Sequence, residues 1–355
     1  MDREKQTMDK NKIKAFADHV VGDMGSAMGA GLAYVGTKVG LFRAMAGGGP
    51  VTPEVLATKT GLQKRYVTEW LKGMVCAKYL DYDPETQTYE LPDEHAYLVA
   101  SEGTDHYVGG LFYSVPMMLG MAPRVADAFI HGGGVPFSDY GSEGVLAIDL
   151  MNRGLYEKRF ANYWLTTCPA IHERLIAGGH VLDFGCGSGR VSIALAKDFP
   201  KSSFIGIDTD SASIAAAKET ALQENLTKQV RFECGTTEVL PTDEYYDLIT
   251  ICDCIHDLSD PLGILTTLRP LLTKGGILFI IEPKAADKLE DNIHSVGAMY
   301  YGMSVFHCMT QSLASGGPGL GTCMGPASME ALTREAGFVI LKSSISRVKP
   351  IFSMR

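Results

Sequence analysis

With 355 residues, 46% of them hydrophobic and 21% charged, the chain is long enough for about two domains and apolar enough to bury a real core. A formal net charge of −9 argues against a general nucleic-acid binder. There is no apolar run of bilayer length, and residues 1–14 are charged rather than signal-like, so a soluble, cytoplasmic protein without membrane contact is expected. The eight cysteines lack regular spacing and several fall inside expected strands, which favours free thiols over a disulfide framework.

Residues 13–42 read as helix, rich in small side chains (Gly22, Gly25, Ala27, Gly29, Ala30, Gly31), which suits close packing of helices or subunits. Thr52 is placed to cap a helix with Pro53 at its first position and Gly61 at its stop. A second helix is expected over 63–78 with Val67, Trp70, Leu71 and Met74 on one face, followed by short strands at 79–82 and 88–92. Helix–turn–helix plus hairpin is a winged-helix pattern. The first hundred residues carry twelve basic against thirteen acidic side chains, with no basic stripe, so dimerisation is expected of this domain rather than DNA contact.

Residues 103–178 look helical, broken by the loop His131-Gly-Gly-Gly-Val-Pro136. A methionine-rich stretch lies at 117–121, and Tyr156, Phe160, Tyr163 and Trp164 recur at helical spacing. From 180 onward, strands (180–184, 203–208, 229–233, 246–252, 276–281) alternate with helices, the pattern of a parallel sheet covered on both faces. Ligands of such sheets bind beyond the carboxyl ends of the strands. The unusual residues fall there.

The first strand carries Asp183 and breaks into Gly185-x-Gly187-x-Gly189, a turn that lets backbone N–H groups approach a ligand at a helix start. A dinucleotide fingerprint would need its third glycine where Arg190 stands, so a nicotinamide cofactor is disfavoured. Asp208 closes the second strand, where a carboxylate accepts two ribose hydroxyls; a helix N-cap is its alternative role. The third strand runs into Cys234-Gly-Thr-Thr-Glu-Val-Leu-Pro241 and the fourth into Cys252-Asp-Cys-Ile-His-Asp-Leu-Ser-Asp-Pro261. Cys252-x-Cys254 puts its thiols on opposite sides of a strand end, and no second Cys/His pair has zinc spacing, so no metal is expected.

Together these residues resemble the class I S-adenosylmethionine-dependent methyltransferases. Val181-Leu-Asp-Phe-Gly-Cys-Gly-Ser-Gly189 is similar to the first motif of that family, Gly206-Ile-Asp208 to the second, Gly235-Thr-Thr-Glu-Val-Leu-Pro241 to the third and residues 246–261 to the fourth. The winged-helix front is similar to that of plant-type O-methyltransferases and their bacterial relatives. The resemblance implies an α/β protein: a Rossmann-like, seven-stranded methyltransferase domain over 179–355, preceded by a mostly α-helical winged-helix dimerisation domain over 1–100 and a helical linker and lid over 101–178. The last helix is expected over 328–336, with closing strands at 338–344 and 350–354.

The resemblance further implies S-adenosyl-L-methionine as cofactor. The expected cofactor residues are Asp183, Gly185, Gly187, Gly189, Asp208, Thr209, Gly235, Thr236, Thr237, Cys252 and Asp253. Thr236 departs from the family, which has Asp there to accept the adenine amino group. His256 lies where plant-type O-methyltransferases carry their general base, a role that suits imidazole, with Asp257 or Asp260 to orient it. Tyr156, Tyr163, Tyr300, Tyr301, Ser304 and His307 are the expected substrate residues, with the loop at 316–321 as a lid. The expected activity is O-methylation of a small molecule by a homodimer. S- or N-methylation by positioning alone, and a winged-helix transcriptional regulator with a metabolite-sensing domain, are the alternatives, and loss of turnover in a cofactor-binding pseudoenzyme is a third.

Overall fold

The computed structural model describes residues 8–241 and 243–339, which form two compact units: one of residues up to 102 with 107–115, the other of 103–106 with 116 onward. The first unit opens with α1 (Lys10–Lys38), capped by the Asp9 carboxylate. The helix expected over 13–42 is interrupted at Gly40, whose left-handed backbone (φ 77°) starts the separate helix α2 (Leu41–Met45). α3 (Pro53–Thr60) begins under the Thr52 hydroxyl and stops at left-handed Gly61. α4 (Lys64–Cys76) buries Val67, Trp70, Leu71 and Met74, and the hairpin β1 (Asp81–Asp83) with β2 (Thr88–Glu90) follows, as its periodicity required. α5 (Asp93–Val99) closes this core.

The small residues of α1 serve two different surfaces. At its C-terminal end Gly29 and Gly36 are buried: a Cβ on Gly36 would enter the Trp70 ring, whose Nε1 donates to the Leu32 carbonyl at 2.8 Å. At the N-terminal end Gly22 and Gly25 meet nothing, and Phe16, Val21, Met24 and Met28 are all more than half exposed.

The helix α6 (Gly109–Leu119) leads into the second unit, where α7 (Ala122–His131), α8 (Gly141–Arg159) and α9 (Pro169–Ala177) precede the sheet. The sheet contains β3 (His180–Phe184), β4 (Ser203–Asp208), β5 (Val230–Cys234), β6 (Tyr246–Cys252) and β7 (Leu272–Ile281), all parallel, in the order β5-β4-β3-β6-β7. Alternate side chains feed opposite faces. Val181, Phe204, Val230 and Leu248 pack under α9, α10 (Arg190–Asp198) and α11 (Ser211–Gln223); Leu182, Ile205, Ile249 and Ile251 pack under α12 (Pro261–Leu268).

β7 is followed by α13 (Ser295–Met303), α14 (Met309–Ala314) and α15 (Gly325–Glu335), the last beginning three residues before the expected 328 because Pro326 opens it. Five strands of the expected seven-stranded sheet stand among the described residues. The closing pair expected at 338–344 and 350–354 falls almost wholly outside them. The sheet order reverses direction at β3, and the crevice this creates lies at the carboxyl ends of β3, β4 and β6.

Candidate active site

The turn after β3 is made of backbone. Gly185, Gly187 and Gly189 all have positive φ (68°, 52° and 75°), which only glycine adopts without cost. Space excludes side chains as well: a Cβ on Gly185 would collide with Cys254 Sγ, and one on Gly189 with the Phe232 ring. The N–H groups of Gly185 and Cys186 both donate to the Ile207 carbonyl (2.9 and 3.0 Å), folding the turn over the end of β4. There the Asp208 carboxylate accepts from the Gly187 N–H (2.8 Å) and the Asp210 N–H (2.9 Å). Asp210, not Asp208, caps α11, by accepting from the Ser213 N–H. The capping alternative for Asp208 is thereby taken up by its neighbour.

Asp183, expected at the cofactor, points into the protein instead. It is 1% exposed, and its two oxygens accept from Ser192 Oγ (2.9 Å) and Thr250 Oγ1 (2.8 Å), so it brackets β3, α10 and β6. Burial pushes its pKa up to about 6.

Sequence reasoning missed the support of the turn from α8. Asp149, 7% exposed, accepts from Ser188 Oγ (2.9 Å) and pairs with the guanidinium groups of Arg190 and Arg153. Burial opposes its ionisation, but the two arginines outweigh it and hold its pKa below the usual carboxylate value. The spacing Asp149–Arg153, one helical turn apart, was the available signal.

After β5, the Gly235 N–H donates to the Asp208 carbonyl at 2.9 Å. The Thr236 hydroxyl and N–H both bond to Glu238, whose carboxylate pKa they lower. A carboxylate therefore stands on this loop after all, two positions later than the family pattern has it. Thr237 starts the short turn Thr237–Val239, and Thr209 is exposed at the end of β4.

The end of β6 is built from side chains. Asp253 has a positive φ of 51°, unusual outside glycine and a common mark of a functional position. It is held by Asn152 and by the Tyr156 hydroxyl (3.4 Å) of α8, and burial raises its pKa to about 6. Cys252 is buried, and burial raises its thiol pKa well above the usual value. His256, 2% exposed, has Nδ1 against the carboxylate of Glu282, at the end of β7, and Nε2 3.3 Å from Asp257 Oδ1. Burial opposes protonation of this ring, but the carboxylates on both sides prevail and raise its pKa. Burial likewise lifts Asp257 to about 7. Asp260 is occupied elsewhere, capping α12 through the Gly263 N–H. Glu282 went unread in the sequence although it stands at a strand's carboxyl end, the one signal that marks it.

Two π-helical turns bring in the remaining side chains. Phe160–Trp164 follows α8, and Ser304–Cys308 joins α13 to α14; such bulges often occur at functional sites. The second places His307 edge-on to Phe137 and Tyr140, with burial lowering its pKa to about 4, and brings the Cys308 thiol within 4.8 Å of the ligand atoms of His256 and Asp257. Tyr156 and Ser304 are buried and Tyr300 is partly so, whereas Tyr163 and Tyr301 face outward, 45% and 40% exposed. Helical spacing places all four aromatics of 156–164 on one run, but the π turn rotates Tyr163 away from its neighbours.

Comparison with known proteins agrees with this architecture. Residues 176–335 match the family model of a methyltransferase domain, and residues 27–101 match that of an Rv2258c-like winged helix–turn–helix domain. These matches place a methyltransferase-type domain over 176–335 and a winged helix–turn–helix domain over 27–101, and the resemblance drawn from the four motifs holds at that level. Among curated proteins it is similar to a ubiquinone biosynthesis O-methyltransferase of Coxiella burnetii, 34% identical over 105 residues, 29% of this chain and 43% of that protein. The match spans less than half of that relative. Among solved structures, an O-methyltransferase family protein from Burkholderia thailandensis superposes with TM-score 0.63 at 14% identity, covering 94% of both chains. Human N-acetylserotonin methyltransferase, solved in complex with S-adenosylmethionine, gives TM-score 0.63 at 16% identity and the same coverage. At such identities these likenesses speak for the fold.

Proposed function

We propose that the protein is an S-adenosylmethionine-dependent methyltransferase that methylates a hydroxyl of a small molecule. The observation that carries this reading is the buried His256, held at Nδ1 by Glu282 at the strand ends beside the glycine turn. The residues present fit the cofactor. The Gly185–Gly189 turn leaves room for close backbone approach, Asp208 keeps lone pairs for ribose hydroxyls, and Glu238 with Thr236 supplies acceptors for an adenine amino group. When bound, the cofactor supplies an electrophilic methyl group on a sulfonium.

The rest is the work of the chain. Glu282 fixes the imidazole, and Nε2 takes the proton of the acceptor hydroxyl as that oxygen becomes nucleophilic. Tyr156, Tyr300, Ser304 and His307 position the acceptor, and their burial excludes water. The ubiquinone biosynthesis O-methyltransferase and O-methyltransferase-family likenesses favour oxygen over sulfur or nitrogen. His256→Ala is expected to lower kcat by about 10²–10⁴ while calorimetry shows unchanged cofactor affinity; unchanged turnover would move the reading to methylation by positioning alone.

A homodimer formed through the N-terminal unit belongs to the same proposal. It is supported by the exposed apolar side chains Phe16, Val21, Met24 and Met28 of α1, each more than half exposed along one helix. The alternative use of this unit, DNA contact, is disfavoured because Lys64 and Arg65 of α4 are paired with Glu54 and Glu69. Light scattering is expected to show a dimer, and Phe16→Glu with Val21→Lys a monomer; a dimer that survives both changes would place the interface elsewhere.

A further inference from the structure

We propose that His256, Asp257 and Cys308 form a binding site for a thiophilic divalent cation, with zinc the best-suited ion, and that the loaded site is a blocked form of the protein. His256 Nε2, Asp257 Oδ1 and Cys308 Sγ all lie within 4.8 Å of one another. The imidazole–thiolate–carboxylate set matches a borderline-soft cation and is unsuited to magnesium or calcium, which take oxygen.

Three further features point the same way. Asp257 Oδ1 is buried without a hydrogen-bond partner, although it lies 3.3 Å from the imidazole. The opposite nitrogen of His256 rests on Glu282, the carboxylate support that metal-bound histidines usually have. The third donor, Cys308, ends a π-helical turn. In a tetrahedral zinc site neighbouring ligand atoms lie roughly 3.3–3.7 Å apart, from bond lengths of about 2.0–2.3 Å. His256 and Asp257 already have that spacing, and Cys308 Sγ lies within 4.8 Å of both their ligand atoms.

Coordination forms three bonds, from Nε2, Oδ1 and Sγ. The S–H bond of Cys308 breaks and its proton passes to solvent, as does any proton on Nε2, and no electron is transferred. Since the ion occupies the nitrogen that would take the acceptor's proton, it competes with catalysis. The site itself does not depend on the methyltransferase reading.

The test uses the full chain carrying Cys76→Ser and Cys234→Ser, which remove the two exposed thiols. Titration with Co²⁺ is expected to saturate at one equivalent with a sulfur-to-cobalt charge-transfer absorption, and Zn²⁺ is expected to displace it. X-ray absorption of the zinc form is expected to show one sulfur ligand among nitrogen and oxygen. Cys308→Ser should abolish the charge-transfer absorption, and Asp257→Asn should weaken zinc binding about tenfold or more while retaining it. Absence of stoichiometric uptake would overturn the proposal. So would a sulfur count of zero or two, the latter pointing to a cysteine pair, or a Cys308→Ser protein that titrates like its parent. Where Cys308→Ser does not fold, the sulfur count of the parent decides. Binding is read without turnover, so a protein that takes up one zinc yet is inactive when metal-free would overturn the methyl-transfer reading alone.

Discussion

The glycine turn after β3 and the histidine cluster after β6 sit at adjacent strand ends, yet they are built in opposite ways. The turn is a backbone device. Its donors are N–H groups, its residues are consecutive, and its partner Asp208 follows one helix later. The cluster is a side-chain device. His256 is local to β6, but Glu282 comes from β7 and Cys308 from a π turn 52 residues on from His256. The first therefore has a sequence signature and the second has almost none.

The difference can be broken from the turn side. Asp149→Ala strips the shared carboxylate from Ser188, Arg190 and Arg153, leaving two guanidinium groups in a largely buried setting. Breaking such a pair is expected to cost about 3–5 kcal/mol, read as a lowered melting temperature together with weaker cofactor binding. The stabilisation by Asp149 also has a pH signature. Because its folded pKa is depressed, the contribution is fully present above the unfolded value of about 3.9 and disappears as pH falls through the lower folded value. The parent is therefore expected to lose stability more steeply than the variant below about pH 4; parallel acid-unfolding curves would show that the carboxylate is not engaged in solution.

A smaller loss is expected from Gly185→Ala, which combines left-handed strain with a collision against Cys254 Sγ. About 1–3 kcal/mol of stability and at least about tenfold in cofactor affinity should go, measured by thermal unfolding and calorimetry. Wild-type affinity in this variant would show that the turn tolerates side chains and is not a cradle. The smallest effect is assigned to Glu238→Gln. Its carboxylate is exposed, so cofactor affinity should fall only about two- to fivefold, without change in thermal stability. A loss equal to that of Gly185→Ala would mean that the adenine edge dominates recognition. All three variants should impair cofactor binding, whereas His256→Ala should spare it; that contrast separates the two devices.

The legibility of the rest follows the same division. Thr52, Pro53 and Gly61 bounded α3 because caps act within one turn of chain, and the apolar face of α4 showed at its period because one helix buries one stripe. Sequence neighbourhood offers Asp257 and Asp260 as orienting partners of His256. Asp260 caps a helix instead, and Glu282 holds the ring from the adjacent strand. For Thr236 the residue type suggested a lost carboxylate, and the fold returned one through Glu238. Tyr163 and Tyr301 shared a helical run with buried aromatics, yet they face outward.

By itself, the sequence determined the alternation of strands and helices, the crevice at the strand ends, the glycine turn and the acidic end of β4. All are consequences of short-range period and backbone geometry. Only the tertiary structure decided which side chains converge on His256, that Asp183 braces the sheet rather than facing a ligand, and that a thiol lies beside the imidazole. Spacing along the chain carries no sign that His256, Asp257 and Cys308 meet, because proximity in space is set by register across the sheet and by a π turn, neither of which leaves a period in the sequence.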